Sequence, residues 1–97
     1  MELIFKNKKL EDIYNSGLSR DFSKDIVIKF IQKINILKNI YVINDLRNLR
    51  SLNFEKLKNY KYGDYSIRVN KGYRIIFNII GNEINIIEIT DLNNHYD

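Results

Sequence analysis

The stretch from Leu57 to Phe77, LKNYKYGDYSIRVNKGYRIIF, contains the most regular alternating patterns in this 97-residue chain. Apolar residues occupy every second position from Tyr65 to Val69 and again from Tyr73 to Ile79, with polar residues between most of them. A period of two is typical of strands that bury one face. The stretch therefore predicts two antiparallel strands, against which the rest of the chain packs.

The loop between these strands sets their register. A three-residue loop, Asn70-Lys71-Gly72, places Gly72 where a type I turn with a bulge needs a positive φ. The apolar face then contains aromatic and β-branched cross-strand pairs, which stabilise sheets: Val69 with Tyr73, Ile67 with Ile75, and Tyr65 with Phe77. On the other face, the same register puts Arg68 directly opposite Arg74.

Two arginines in directly opposite positions repel each other and destabilise a sheet. A two-residue loop would avoid this, but it would set Arg68 against Ile75 and mix the two faces. We therefore prefer the register that pairs the arginines, and infer that an anion binds between them. The alternative is that both side chains extend into solvent and have no common role.

Composition excludes several classes of site. The chain has no cysteine, so it has no disulfide and no thiolate nucleophile, and with one histidine it has no multi-histidine metal site. We expect no cofactor. There is no apolar run long enough for a membrane span and no signal-peptide pattern at Met1. The expectation is one intracellular, soluble domain over residues 1–97, without a membrane partner.

The basic charge is concentrated in one region. The formal net charge is +4 and the pI is near 9.3, which fits a polyanionic partner. A chain rich in Lys, Asn and Ile is partly basic through its composition, so position matters more than the total. Six cations fall in or next to the Leu57–Phe77 stretch: Lys56, Lys58, Lys61, Arg68, Lys71 and Arg74.

The N-terminal half predicts a strand and two helices. Glu2–Lys6 is apolar enough for a short strand, and residues 8–15 have helical spacing that ends before Gly17. After possible caps at residues 19–23, a strong apolar stripe continues to Lys38 and predicts a long helix. Residues 40–50 fit either a helical turn or a packed loop.

The remaining segments predict further strands. Residues 52–58 resemble a strand, and Gly81-Asn82 predicts a tight hairpin followed by a last strand over residues 83–90. Pairing counted from that turn sets Ile87 against Ile76 and Ile89 against Arg74, so the arginine face is expected to be partly apolar. The order of elements predicts an α+β fold, with helices on one face of a mainly antiparallel sheet of four to five strands.

The residues around the arginines suggest RNA binding. Lys58, Arg68 and Arg74 are flanked by tyrosines, and cations beside aromatic rings bind single-stranded RNA. In a meander, the end of the last strand lies beside Arg74, so His95 is placed to reach the same site as a general acid or base. The alternative is that His95, close to the end of the sequence, is frayed and has no role.

Several motifs together resemble the HigB toxins of the RelE/ParE superfamily. They are Leu57-Lys58, the segment Gly63–Asn70, the segment Tyr73–Phe77, and Glu88-Ile89-Thr90-Asp91 followed by His95-Tyr96. The resemblance covers nearly the whole chain. It implies a RelE-like fold and the toxin of a bacterial type II toxin–antitoxin system, acting in the cytoplasm as a ribosome-dependent mRNA endoribonuclease. The implied partners are mRNA on the ribosome and a HigA-like helix-turn-helix antitoxin, which would form a heterotetramer with the toxin.

The resemblance also implies roles for individual residues. In such toxins the ribose 2′-hydroxyl attacks the adjacent phosphate without a metal ion, so Arg74 would stabilise the phosphate and Arg68 would bind a flanking one. Lys58 would contact phosphate or activate the 2′-hydroxyl, and His95 would protonate the leaving group. The expected RNA contacts are Lys56, Lys61, Tyr62, Lys71 and Tyr96, with Tyr65 weaker because the register buries it.

The sequence departs from the family pattern at three points. The family's Leu-Lys-Gly is Leu57-Lys58-Asn59 here, with Glu55-Lys56 where a histidine is often found, and the Asp-Tyr-His ending is extended to Asp91–His95. These departures leave the reach of His95 open. Two alternative functions remain: a ParE-like gyrase inhibitor that binds protein, and a basic RNA-binding module without catalysis.

Overall fold

The computed structural model describes residues 1–81 and 83–94, and it confirms the α+β class. In chain order, the elements are β1 (Glu2–Phe5), α1 (Lys8–Ser16), α2 (Lys24–Asn39), α3 (Asp45–Asn48), a 3-10 turn (Arg50–Leu52), β2 (Glu55–Lys56), β3 (Tyr65–Arg68), β4 (Arg74–Ile80) and β5 (Ile86–Asn93). Within this part of the chain, no helix is both long and apolar enough to cross a membrane.

The two longer helices begin and end within one residue of the bounds predicted from the sequence. The side chain of Asn7 accepts a hydrogen bond from the Leu10 N–H and caps α1, while Ser23 caps α2 by accepting from the Ile26 N–H. Gly17 ends α1 in the left-handed conformation, at φ 72°, and its N–H donates to the Ile13 carbonyl over 2.8 Å.

The five strands lie in the order β1-β5-β4-β3-β2. β1 pairs in parallel with β5, and the other neighbours are antiparallel. The strand predicted over residues 52–58 is reduced to the two residues of β2. The reason is that the preceding backbone closes the 3-10 turn and then passes through a left-handed residue, Asn53, at φ 44°. The ambiguous region over residues 40–50 contains the four-residue helix α3.

The register predicted for the β3–β4 hairpin is confirmed. Tyr65 lies opposite Phe77, Ile67 opposite Ile75, and Arg68 opposite Arg74. The prediction for the loop glycine is wrong, because Gly72 does not have a positive φ. Instead, the Asn70 side chain closes the turn by accepting hydrogen bonds from the N–H groups of Gly72 and Tyr73 at 3.0 and 2.9 Å.

The predicted register of the last strand is wrong. Ile87 lies opposite Ile79 and Ile89 opposite Phe77, and β5 runs from Ile86 to Asn93 rather than over residues 83–90. The connection from β4 is longer than a two-residue turn, and a bulge then leaves Thr90 between the pairs Phe77–Ile89 and Ile76–Asp91. Of the predicted turn tip, Asn82 lies outside the described residues.

The main core lies between the helices and one face of the sheet. The buried residues of α1 and α2 pack against strand residues including Ile67, Ile75, Phe77, Ile87 and Ile89. Because side chains alternate along a strand, the residues between these point to the other side. We call this side the polar face: Ser66, Arg68, Arg74, Ile76, Asn78, Glu88, Asp91 and Asn93.

The expected apolar contribution of Ile87 and Ile89 to the arginine face is therefore wrong, since both isoleucines belong to the core. The loop between β2 and β3 lies across the polar face. A Cβ atom at Gly63 would stand 2.7 Å from Ile76 Cγ2 and 3.1 Å from Thr90 Oγ1, so only glycine fits this close approach.

Candidate functional site

Arg68 and Arg74 line one open cavity at the end of the polar face where β4 begins. The space is about 400 Å³. Its lining residues come from the β2 region, the β3–β4 hairpin and the end of β5: Asn53, Glu55, Arg68, Asn70, Lys71, Gly72, Arg74 and Asn94. We call this the arginine cavity. The two guanidinium groups thus share one side of the sheet and one cavity, as the predicted register requires.

The Arg74 side chain is held in place from three directions. Its Nε donates a 2.8 Å hydrogen bond to Ser66 Oγ, and its Nη2 donates to the Asn53 carbonyl. The same Nη2 lies 4.0 Å from Glu55 Oε1, and the side chain is only 13% exposed. A guanidinium fixed by polar partners at the edge of a cavity is oriented before an anion arrives, which lowers the cost of binding.

Arg68 has a different set of contacts. It is half-buried, and its Nε donates a 3.2 Å hydrogen bond to the Asn70 carbonyl in the hairpin turn. The paired arginines therefore bind different acceptors, Arg68 in the turn and Arg74 on the Ser66 side. These contacts explain how the sheet accommodates two like charges on directly opposite residues.

The charge of the arginine cavity favours an anion but includes one carboxylate. Its cations are Arg68, Lys71 and Arg74, and Glu55, with a 46% exposed side chain, is the acidic group. Arginine and lysine bind phosphate through charge-assisted hydrogen bonds. A carboxylate in the same cavity is able to accept a proton from a hydroxyl bound there. The arrangement therefore suits phosphate-ester chemistry.

Sequence reasoning missed two residues that contact Arg74. Ser66, fully buried, positions Arg74, and the alternation that places Arg68 on the polar face places Ser66 there as well. That signal was available in the sequence. Glu55 was noted only as a departure from the family pattern. Its place beside Arg74 depends on the short β2 pairing, in which Glu55 lies opposite Ser66.

Two of the other predicted site residues, Lys56 and Lys58, lie apart from the arginine cavity. Lys58 is exposed in the loop between β2 and β3 and does not line the arginine cavity. Lys56 lies opposite Tyr65, which packs against the core, so alternation directs Lys56 to the helix side of the sheet. Among the predicted RNA contacts that lie in residues 1–81 and 83–94, Lys71 is the one that lines the arginine cavity.

Lys61 and Tyr62 line a second, larger space of about 640 Å³ at the other end of the polar face. Other residues that line it include Tyr60, Gly63, Asn78 and Thr90; we call it the tyrosine cavity. His95 and Tyr96 lie outside the described residues, although the chain reaches the arginine cavity at Asn94. In residues 1–81 and 83–94, no cluster of His, Cys, Asp and Glu is arranged to hold a metal ion.

Comparison with known proteins gives one family and one related fold. The family model described as the RelE-like toxin of type II toxin-antitoxin system HigB matches residues 3–95. A YoeB/ParE toxin from Agrobacterium tumefaciens has a similar structure, with a TM-score of 0.57 and 22% identity, covering 99% of this chain and 100% of that chain. At this identity the likeness shows a common fold. No curated protein matches the sequence significantly.

The α+β fold, with helices on one face of a mostly antiparallel sheet, agrees with these comparisons. The match covers nearly all of the chain and starts within β1. The expected RelE-like fold is confirmed. The chain belongs to the HigB-like toxin family, the RelE-like toxins of type II toxin–antitoxin systems.

Proposed function

We propose that this toxin is an endoribonuclease that cleaves mRNA on the ribosome. The observation that supports the proposal best is the arginine cavity, where Arg68, Arg74 and Glu55 surround a space of about 400 Å³. Two arginines that converge from neighbouring strands provide the planar donors that bind phosphate oxygens. The arginine cavity is open to solvent, so a phosphodiester is able to reach both arginines.

The proposed reaction is an internal transesterification. The 2′-oxygen of one ribose attacks the adjacent phosphorus, the bond from phosphorus to the 5′-oxygen breaks, and the products are a 2′,3′-cyclic phosphate and a 5′-hydroxyl. Negative charge accumulates on the phosphoryl oxygens in the transition state. Arg74, held by Ser66 and Asn53, stabilises this charge, since a fixed donor needs no reorganisation during the reaction. Arg68 binds a flanking phosphate.

Two protons move in this reaction. The 2′-hydroxyl loses one, and we assign its acceptor to the Glu55 carboxylate, which lies in the arginine cavity beside Arg74. The leaving 5′-oxygen gains one, and the acid proposed for this step is His95, which follows Asn94 in sequence. Lys58 lies in the loop before β3, outside the arginine cavity. We assign it a contact with a phosphate next to that loop.

A type II toxin has a cognate antitoxin. We propose that the antitoxin of this protein is a HigA-like helix-turn-helix protein, that it forms a heterotetramer with the toxin, and that the toxin acts in the bacterial cytoplasm. The family match supports these proposals. We expect induction of the toxin alone to arrest growth, and co-expression of a neighbouring helix-turn-helix gene should prevent this arrest.

Mapping mRNA 5′ ends after induction without antitoxin tests the proposed activity. The matched substrates are a reporter mRNA with its start codon and the same mRNA without it. We expect new 5′-hydroxyl ends within the translated reporter and none in the untranslated one. Equal cleavage of both mRNAs would contradict ribosome dependence. Intact mRNA together with altered DNA supercoiling would contradict the proposal and favour a gyrase inhibitor.

The contact between Ser66 and Arg74 gives a more specific prediction. Ser66→Ala removes the acceptor of the 2.8 Å hydrogen bond from Arg74 Nε while keeping both arginines. We expect cleavage to slow by about 10- to 150-fold, because a hydrogen bond to a charged group is worth about 1.5–3 kcal/mol and each 1.36 kcal/mol is tenfold in rate. In single-turnover assays on programmed ribosomes, the maximal rate should fall and the half-saturating concentration should change little. An effect on binding alone would contradict the positioning role.

A further inference from the structure

The tyrosine cavity has no role in the proposed reaction, although it is the larger of the two cavities on the polar face. We propose that it is a second RNA subsite, an inference that rests on the proposed function. There it binds an unpaired base of the same strand that the arginine cavity cleaves.

The two cavities lie on the same face of the sheet, on either side of the loop between β2 and β3, which covers Ile76 at Gly63. Arg74 and Asn78 are four residues apart on β4 and point to the same side, so their Cα atoms are separated by about 13 Å. Arg74 lines one cavity and Asn78 the other. A strand fixed by its phosphate at Arg74 therefore passes over this loop, which contains Tyr60 and Tyr62, to reach the tyrosine cavity.

Tyr60 lies between the two sites. Its hydroxyl accepts a 3.1 Å hydrogen bond from Asn93 Nδ2, and Asn93 is the residue opposite Arg74 on β5. The Tyr60 ring also contacts the Tyr62 ring edge-to-face, with centroids 5.4 Å apart. Tyr60 thus contacts both the end of β5 at the arginine cavity and the ring of Tyr62. These contacts fix the position of the Tyr62 ring relative to Arg74.

Tyr62 is suited to stacking on a base. It is 45% exposed although it is a large aromatic residue. The Lys61 ammonium group lies 4.8 Å from the centroid of its ring. A base that stacks on Tyr62 displaces this exposed side chain, which is then able to pair with a phosphate. Stacking on an aromatic ring with a cation nearby is how proteins bind single-stranded nucleic acid.

The charges and the amides of the tyrosine cavity define its ligand further. Lys6 and Lys61 are its cations and Asp64 is its carboxylate, so its formal charge is slightly positive. The Asn78 amide is used within the fold, since it accepts from the Asp64 N–H at 2.9 Å and donates to Glu88 at 3.3 Å. The cavity therefore offers a ring and cations, and we expect weak discrimination between bases.

Binding of non-cleavable RNA by the full-length toxin tests this subsite. The probes are a fluorescent 2′-O-methyl dinucleotide and an octanucleotide, which lack the attacking hydroxyl. Tyr62→Ala should weaken octanucleotide binding by about five-fold or more, from the loss of one stacked base, and should leave the dinucleotide unaffected. Tyr62→Phe should bind like the wild type, since the ring is retained.

Tyr41→Ala is the matched control, because Tyr41 is a 90% exposed tyrosine in the connection that follows α2. It should leave binding of both probes unchanged. Lys61→Ala is the second variant and should reduce the salt dependence of octanucleotide binding. Circular dichroism melting confirms that each variant folds.

Several results would overturn the proposal. One is that Tyr62→Ala binds the octanucleotide as tightly as Tyr41→Ala does. Another is that Tyr62→Ala loses affinity equally for the dinucleotide and the octanucleotide. A third is that the wild type does not bind the octanucleotide. Stronger competition by a polyglutamate peptide than by RNA would identify an acidic protein ligand instead. A failure of the proposed function appears separately: the octanucleotide would then depend on Tyr62, while mRNA remained uncut in cells.

Discussion

Arg74→Ala is expected to slow mRNA cleavage by about 10²–10³-fold, the usual effect of removing one fixed donor that stabilises transition-state charge. Arg74 is the most firmly held cation of the arginine cavity, with contacts to Ser66, Asn53 and Glu55. The measurement is the single-turnover cleavage rate on programmed ribosomes, and growth arrest on induction should be relieved in parallel.

Two controls separate catalysis from folding. Arg20→Ala removes an exposed arginine in the connection between α1 and α2, and it should cleave at the wild-type rate. Arg74→Lys keeps the charge but loses the planar geometry, so its rate should lie between those of the wild type and the alanine variant. A folded Arg74→Ala protein with a wild-type rate would refute the site assignment.

The second large effect concerns stability. Phe77→Ala should lower the free energy of unfolding by about 3–5 kcal/mol, the cost of deleting a fully buried ring. Phe77 is completely buried and its ring lies 5.8 Å from that of Tyr65 and 6.2 Å from that of Phe54, centroid to centroid. Since whole domains are stable by about 5–15 kcal/mol, the melting temperature should fall by at least about 12 °C.

Urea denaturation and thermal melting measure this loss, and Tyr41→Ala is again the control. Because Tyr41 is exposed, its replacement should change stability by no more than about 0.5 kcal/mol. A loss below about 1 kcal/mol for Phe77→Ala would mean that the helices do not cover this face of the sheet. The polar face would then not be the accessible one.

The parts of the fold that local patterns determine are the parts that the sequence predicts well. The β3–β4 register follows from strict alternation and loop length, and the structure contains the predicted pairs Tyr65–Phe77, Ile67–Ile75 and Arg68–Arg74. The register of β5 does not follow from pattern, because a bulge at Thr90 inserts one residue whose cost is offset by tertiary contacts. Likewise, the turn conformation depended on the side chain of Asn70 rather than on Gly72.

The residues of the candidate site likewise differ in whether the sequence predicts their positions. The arginine pair could be predicted because both residues belong to one hairpin, in which alternation fixes the side of each residue. The positions of Lys56 and Lys58 could not, because β2 has only two residues and the following loop has no period. Glu55 enters the arginine cavity through a long-range pairing with β3. The spacing of residues along the chain does not predict such a contact.

The pairing of β1 with β5 has a consequence for synthesis of the toxin. The first strand has no partner until the last has been translated, because its neighbour in the sheet is β5. The residue opposite Arg74, Asn93, also belongs to that last strand. A nascent chain therefore remains without a finished sheet until its C-terminal segment has emerged from the ribosome.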